Sequence, residues 1–503
     1  MSTQHQYEDV PFRDRIGANP RPALVWAVGL AVLLLLELGA ILSMVGTMLE
    51  LFSSVIVGAF HGAPGGISPN SAETGAVVVA AFDALEQFGR SLPTLLSREL
   101  IPNQGHELPG GGWDGTFLGL PPAFAWGFRV FLIYAYMFVL LWWVWFGYRT
   151  FVEHYRQADW TPRDDVVRRL RGHRWGQFGL VIVVLFVGLG LFAPTISPVT
   201  YEQDVINPYQ HEVEYLDDQT GEVQTITAGD ANLQSASRGN PGSNVGPLSY
   251  DDFGRFHPFG TMNNPGGDLF TFMAYGARVS LFIGLTAMAI SGFIAGFLGL
   301  LTAYYKGLSD LAVVVVSDSI QAIPVFLLAI LVSVVFSGHW LADFYNGGLL
   351  FALVFGFLYW PGLWRAVRGP AFQVSEQEWV DAARSYGQGS IATMRRHMLP
   401  YILGYLLIYG SLMIGGIIIA TSALSFLGIG ISPPTPEWGR AVAGGRGYVA
   451  TASWHIAFIP GILIVLVVTA LNALGDGIRD GIDPQSESGG GGASEAAAAG
   501  GGG

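Results

Sequence analysis

Eight long apolar runs divide this chain, and no other feature limits its fold as strongly. They lie near residues 23–48, 125–148, 176–195, 277–304, 310–337, 347–366, 401–426 and 453–474. A helix needs roughly 20 apolar residues to cross the hydrocarbon core of a bilayer. In that medium each backbone N–H and C=O must be bonded within the segment, so runs of this length read as transmembrane helices. The expected fold class is an all-α integral membrane protein of about eight transmembrane helices. Composition agrees, with 51% hydrophobic residues, 13% charged residues and a mean hydropathy of +0.43.

The chain has no cysteine, which excludes disulfides, thiolate metal sites and a thiol nucleophile. It has one lysine, Lys306, among 25 basic residues, and a net charge of −13. An acidic, lysine-poor surface is expected in a halophile, where salt screens the self-repulsion. Such a charge argues against nucleic-acid binding. The single lysine also decides a point of energetics. A phosphate-binding loop needs Gly-Lys-Ser/Thr, whereas Lys306 stands between Tyr305 and Gly307, so ATP-driven work has to come from another polypeptide.

Arginine placement sets the expected orientation, because positive charge near helix ends stays cytoplasmic. Residues 149–174 carry seven arginines (149, 156, 163, 168, 169, 171 and 174), while 196–275 carry Arg238 and Arg255 amid eleven acids. The first segment is therefore expected inside and the second outside, which puts both termini and residues 367–400 in the cytoplasm of a multi-pass plasma-membrane protein. The first apolar run exceeds a signal-peptide core and is expected to remain as an anchor. Residues 72–100 read as an amphipathic external helix, and EVQTITA, from Glu222, as strand. Residues 486–503, rich in Gly and Ala, have nothing to bury and read as a disordered tail.

Between two apolar runs stands the polar stretch EQEWVDAARSYGQGSIATMRRHMLP, residues 376–400. Glu376 to Tyr386 has good helix formers and an acidic first turn, which suits the positive end of the helix dipole. Gly387 and Gly389 should end that helix. A second short helix is expected from Ser390 to His397, with Arg395 and Arg396 in its last turn, before Pro400 opens the next span. The small side chains of Ala382 and Ala383 allow close approach of a partner, and Gly387 allows a sharp turn.

This stretch resembles the cytoplasmic coupling loop of ABC-importer permeases: Glu-Ala-Ala, three residues, Gly, then a Leu-Pro ending. Asp381 stands in place of the usual Glu. The resemblance to the dipeptide/oligopeptide/nickel class continues from Arg168 onward over about 315 of 503 residues. It runs through RRLRGHRWGQFGLVIVVLFVGLGLFAP, HPFGT (257–261), YGARVSLFIGL (275–285), Asp318 with Ile-Pro at 323–324, ALSFLGIGISPPTPEWGR (423–440) and LNALGDGIRDGIDP (471–484). After HPFGT the family's Gly-Thr-Asp…Gly-Arg-Asp pattern is missing, and Met262 to Asp268 stand there instead.

The resemblance implies a six-helix permease core at 166–485, with 1–165 an added N-terminal extension carrying two transmembrane helices and an external loop. It implies a coupling site made of Glu378, Asp381, Ala382, Ala383, Arg384, Gly387, His397, Leu399 and Pro400. It implies no cofactor in this chain, with ATP and magnesium held by partner ATPases. The implied partners are two ATPase subunits, a homologous second permease, an external solute-binding protein and the lipid membrane. The implied activity is uptake of dipeptides or oligopeptides, with nickel or another small solute as the alternative within the class. The alternative outside it is an ion-driven secondary transporter or channel, for which inverted repeats and paired intramembrane charges are expected.

Glu37 and Asp318 fall within apolar runs, where an ionisable group is costly and hence a candidate for function. For Asp318 a helix-packing hydrogen bond is the favoured reading, and the sequence assigns neither residue to a solute path. The ten histidines lack metal-ligand spacing, and no nucleophile–base arrangement stands out. The chain reads as a transport subunit and not as an enzyme.

Overall fold

The computed structural model describes residues 11–482, apart from 40, 43–79, scattered positions between 82 and 96, 159–160, 238–242 and 264–266. Part of the first expected span, most of the 72–100 helix, His61 and the 486–503 tail lie outside the described residues. Two compact units are present. One comprises residues 1–103 and 115–161, and the other 104–114 and 162–503.

The smaller unit contains α1 (Phe12–Ala18), α2 (Pro20–Leu36) and α3 (Pro122–His154). α1 and α2 bend by 98° at Asn19, so the run begins with a corner. α2 and α3 pack through a reciprocal pair of tryptophans. Trp26 Nε1 donates to Trp143 O (3.2 Å) and Trp143 Nε1 donates to Trp26 O (3.0 Å). Each indole lies against a glycine of the facing helix, Gly147 and Gly29, where any side chain would collide with the ring. Tyr136 Oη donates to Leu33 O (2.9 Å), which satisfies a phenol among apolar neighbours.

The larger unit is a helical bundle. Its α-helices of eight or more residues are α4 (Pro162–Gly172), α5 (Arg174–Leu191), α6 (Ala228–Ser237), α7 (Leu269–Tyr305), α8 (Leu308–Gln321), α9 (Val325–Val335), α10 (Gly348–Ser375), α11 (Glu378–Ser385), α12 (Leu399–Phe426), α13 (Trp438–Gly445) and α14 (His455–Ile482). Among the described residues, six helices, α3 included, are long and apolar enough to cross a membrane singly, and up to eight spans result if each of two bent pairs makes one. The fifth apolar run differs from the straight span expected at 310–337. It is two helices, α8 and α9, meeting at 75°. Pro324 explains the break, because it lacks an N–H and disfavours helical backbone at Ile323.

Three buried clusters hold the bundle. Phe272, Met273, Trp438, Ile456 and Leu471 form one, and Ile283, Phe351, Phe355, Ile417 and Leu424 another. The third joins Trp364, Val367 and Ala371 of α10 to Ile402 and Leu406 of α12. α5 and α14 approach more closely than bulky residues permit. A Cβ on Gly179 would lie 2.5 Å from Ala470 O, and one on Gly176 would lie 2.9 Å from the Cα of Gly477. Such small-residue contacts replace hydrophobic burial as the packing force between helices in lipid.

Residues 200–268 form a cap of short elements. β3 (Glu212–Leu216) pairs antiparallel with β4 (Val223–Thr227), and β4 lies within the strand expected at EVQTITA. β5 (Ser249–Tyr250) pairs with β6 (Phe256–His257), while β1 (His106–Glu107) pairs with β2 (Trp113–Asp114). The cap adjoins the N-terminus of α7, where Asp268 accepts from Thr271 N (2.7 Å). α7 is 37 residues long, about 55 Å at 1.5 Å per residue, so its other end lies at the far side of the bundle.

Candidate functional site

At that far end the 376–400 stretch forms a knob. α11 is shorter than the expected 376–386 helix, and it ends in a Schellman arrangement. Gln388 N donates to Ala383 O (3.0 Å) and Gly387 N to Arg384 O (2.9 Å). Gly387 sits at φ +77°, a backbone region that favours glycine, so the expected break falls there. Glu378 and Asp381 lie in the first turn, where their charge complements the helix dipole.

The second half departs from expectation. Ser390–Thr393 is helical, but Met394–Met398 is a wider π turn that runs without interruption into α12. Ser390 to Phe426 is therefore one helical run, and Arg395 and Arg396 do not close a separate helix. Pro400 gives the physical reason. Its ring would collide with the carbonyl of Arg396 in a regular helix and it has no N–H to donate, and the π turn just upstream opens the required room.

The knob is anchored from inside. Val380 and Met398 are fully buried in the α10–α12 cluster, with Leu399 packed against it. Trp379 stacks on Tyr401 at 5.9 Å, and His397 Nε2 lies 3.0 Å from Gln388 Oε1 across the turn. Arg384 sits over the Tyr304 ring, 4.2 Å from its centroid, and pairs loosely with Asp381 at 3.8 Å. Lys306 Nζ reaches Glu376 Oε1 at 3.2 Å. Glu378, Ala382, Gly387 and Pro400 face outward. So do two large apolar side chains, Tyr386 at 92% exposure and Ile391 at 76%. A hollow of about 480 Å³ beside Ile391 is lined by Ser390, Ala392, Arg395 and Arg396.

The sequence motif thus contributes two kinds of residue: Leu399, which packs inward, and the outward set around Gly387. Spacing did not single out Val380, Met398, Tyr304 or Lys306. Val380 and Met398 are apolar, but so are Trp379, Tyr386, Ile391 and Met394 of the same stretch, so apolarity alone does not separate the buried anchors from the exposed groups. Tyr304 has no sequence signal, because its partner lies 80 residues away.

Residues 295–487 match the family described as binding-protein-dependent transport system inner membrane component, and residues 161–213 match the N-terminal TM domain of oligopeptide transport permease C. A putative peptide transport system permease protein of Brucella abortus is 33% identical over 318 residues, which is 63% of this chain and 90% of the relative. The chain belongs to this family of ABC-importer permeases. A glutathione transport system permease protein of Escherichia coli is 36% identical over 325 residues, 65% of this chain and 91% of its own length. A dipeptide transport system permease protein of Alkalihalophilus pseudofirmus is 28% identical over 328 residues, with 65% and 91% covered. As an ABC-importer permease the chain is a multi-pass membrane subunit and not itself an enzyme, and it works with ATPase and substrate-binding partners.

The other end of α7 holds a second polar construction that its sequence spacing hid. Asp204, Asp251, His257 and Asp268 are buried together. His257 Nδ1 lies 2.9 Å from Asp268 Oδ2 and Nε2 lies 3.3 Å from Asp251 Oδ2, while Arg255 Nε donates to Asp251 Oδ2 (2.7 Å). Asp268 N donates to Asp204 Oδ2 (3.0 Å). Burial and the neighbouring Asp268 carboxylate push the Asp204 carboxyl up to about 7. Burial alone would lower the His257 imidazole, but its hydrogen bonds to Asp251 and Asp268 outweigh that and push it up to about 9. Burial opposes ionisation of Asp251 too, yet Arg255 and His257 hold it well below the usual carboxylate range. The cluster ties α6, the β5–β6 hairpin and the 200–206 turn to the start of α7.

Proposed function

We propose that this permease carries short peptides, delivered by an external binding protein, and that the 376–400 knob is where two ATPases drive it. The observation that supports the knob's role most is its construction. A rigid elbow, anchored through Val380 and Met398 to α10 and α12, leaves Tyr386 and Ile391 exposed on its outer side. Large apolar groups left bare on a polar elbow suit a protein partner. Closure of paired ATPases on ATP and Mg²⁺, which those subunits hold, moves the elbow and tilts the helices fixed to it.

The names of the relatives support a peptide substrate. The arginine-rich 149–174 segment supports a cytoplasmic knob and cytoplasmic termini, with the 200–268 cap outside. Pairing with a homologous second permease suits a single chain that carries one knob. Residues 1–165 are an extension to the core and 486–503 a tail. The 24 arginines against a single lysine, with a net charge of −13, support a high-salt host.

The test is uptake of a labelled dipeptide into vesicles containing the complete complex. ATP should drive it, and uptake should stop when the ATPases carry an inactivated nucleotide site. Uptake that persists without the ATPases, driven by an ion gradient, supports a secondary transporter instead.

A further inference from the structure

Two ion pairs link α8 to α10, and they differ in kind. Arg368 holds Asp310 through Nε–Oδ1 at 2.7 Å, and its guanidinium lies over the rings of Trp364 (5.6 Å) and Phe372 (5.1 Å). That pair is packed in place. Arg365 pairs with the Asp318 carboxylate and donates to Gln321 Oε1 (2.8 Å). Its side chain is 47% exposed and that of Asp318 is 58% exposed. Among the described residues no ring lies beneath Arg365.

Depth makes this exposure informative. α10 has 28 residues and is about 42 Å long, with Arg365 about 26 Å from its first residue. A slab about 30 Å thick laid within the length of this helix takes in Arg365, from about 5 Å inside its face to about its middle. A half-exposed ion pair inside that slab faces lipid only at a desolvation cost that grows with depth, so water or another protein is the favourable neighbour. The backbone beside it is irregular as well. Residues 321–324, at the 75° break between α8 and α9, are exposed, and non-helical backbone at membrane depth is tolerated only against protein or a water-filled cavity. Asp310, Asp318 and Gln321 share one face of α8, while Val316 lies on the other side of the helix. The break also leaves the N–H groups of Val325 and Phe326 at a helix start, where they have no partner within the helix.

We propose that Asp318, Gln321 and Arg365 form a polar station on the water-filled solute path, where the two ends of a zwitterionic peptide replace the Asp318–Arg365 ion pair. The ammonium goes to Asp318 and the carboxylate to Arg365, whose guanidinium suits two-point recognition. One ion pair is exchanged for two, so no charge is left uncompensated at depth. The ligand half of this proposal rests on the peptide reading above, and the water-lined half does not.

The absence of cysteine makes a direct test available. Gln321→Cys leaves the ion pair intact and introduces the chain's one thiol, with Asp318→Cys as a second probe and Val316→Cys as the opposite-face reference. The complete complex in proteoliposomes is treated with a charged, membrane-impermeant methanethiosulfonate from both sides. The thiol at position 321 is expected to react at least tenfold faster than one at 316, and saturating dialanine should slow it at least threefold, whereas N-acetyl-dialanine amide should not. Reaction no faster than at 316 overturns the water-lined station. Fast reaction that dialanine leaves unchanged, or that the blocked peptide slows equally, overturns the assignment of peptide ends. ATP-driven dialanine uptake in the same vesicles separates the two levels. ATP-driven uptake by the unsubstituted complex together with a position-321 thiol that does not react removes this inference alone, whereas no ATP-driven uptake by the unsubstituted complex removes the peptide reading.

Discussion

Arg384 of the knob rests on the ring of Tyr304, 4.2 Å from its centroid, and its Nη2 donates to the Tyr304 carbonyl at 3.3 Å. Tyr304 is the penultimate residue of α7, the helix whose other end is capped by Asp268 in the buried acid–histidine cluster. One helix therefore touches both the knob and the cap. Nearby, Tyr305 Oη lies 3.3 Å from Ser390 Oγ, which gives the same helix end a second hold on the knob.

If the knob transmits movement to α7 through this contact, loosening it should uncouple hydrolysis from transport without dissolving the complex. A cation–π contact at such a partly exposed site contributes about 0.5–1 kcal/mol. Arg384→Ala and Tyr304→Leu should each leave the complex assembled by size-exclusion chromatography. Each should lower the ratio of peptide transported to ATP hydrolysed several-fold. An unchanged ratio in both variants would remove this contact from the coupling route.

Gly387 offers a cleaner backbone test, because a Cβ placed there meets nothing within 4 Å. The cost of Gly387→Ala is then conformational alone, about 1–2 kcal/mol for the left-handed φ. Gly387→Asn should cost less, since Asn tolerates this region. Hydrogen exchange over 378–398 should rise in the order Gly, Asn, Ala. Bulky replacements at Gly387 and Ala383 should keep assembly and lose transport, whereas retained transport would leave the knob a mere recruiting site.

The cap should loosen as pH rises. Asp204 keeps its proton in the folded state up to about 7 but releases it near 3.8 when unfolded, so stability falls between those values. His257, raised from 6.5 to about 9, contributes stability that is complete below 6.5 and lost as pH rises through 9. Asp251, held low, contributes above 3.8 and loses its share in acid. The thermal midpoint, followed by Trp113 stacked on Tyr250, should therefore decline from pH 5 to pH 9. Asp204→Asn should flatten the lower half of that decline and His257→Gln the upper half. A midpoint that climbs from pH 5 to 9 contradicts the arrangement.

Trp438 is fully buried, donates through Nε1 to Met273 O at 2.8 Å and meets Phe186 edge-on at 5.4 Å. Trp438→Ala should destabilise the bundle by about 3–5 kcal/mol through lost burial and a residual cavity. Trp438→Phe, which keeps most of the ring, should cost about 1–2 kcal/mol, including one hydrogen bond. Detergent melting curves would show the order, and equal losses would mean that the hydrogen bond, not the packing, dominates.

How much of this was legible in the chain depended on whether the signal was local. Gly387 ends α11 because its neighbours are helix formers and it alone tolerates the turn, and that could be read from a dozen residues. The β4 strand could be read locally from EVQTITA, but its pairing with β3 could not. Pro324 was visible inside the fifth run, yet apolar length records how much chain can cross a membrane and not its direction, so the 75° bend was missed. Pro400 marked the start of a span, but that it forces a π turn depends on the carbonyl of Arg396, which sequence does not place. The acid–histidine cluster was least legible. Asp204 and Asp268 stand 64 residues apart, and only the folding of the cap brings them together. The opposite holds for Asp318, whose place within an apolar run marks it as costly without reference to its partner Arg365.

The most direct measurement is a photo-cross-link from Tyr386, the most exposed large apolar side chain of the knob. A photoreactive residue at this position, in the complete complex in membranes, should yield an adduct with an ATPase subunit, and ATP should change its yield. Adducts with lipid alone, or with the permease alone at every nucleotide state, would contradict the account.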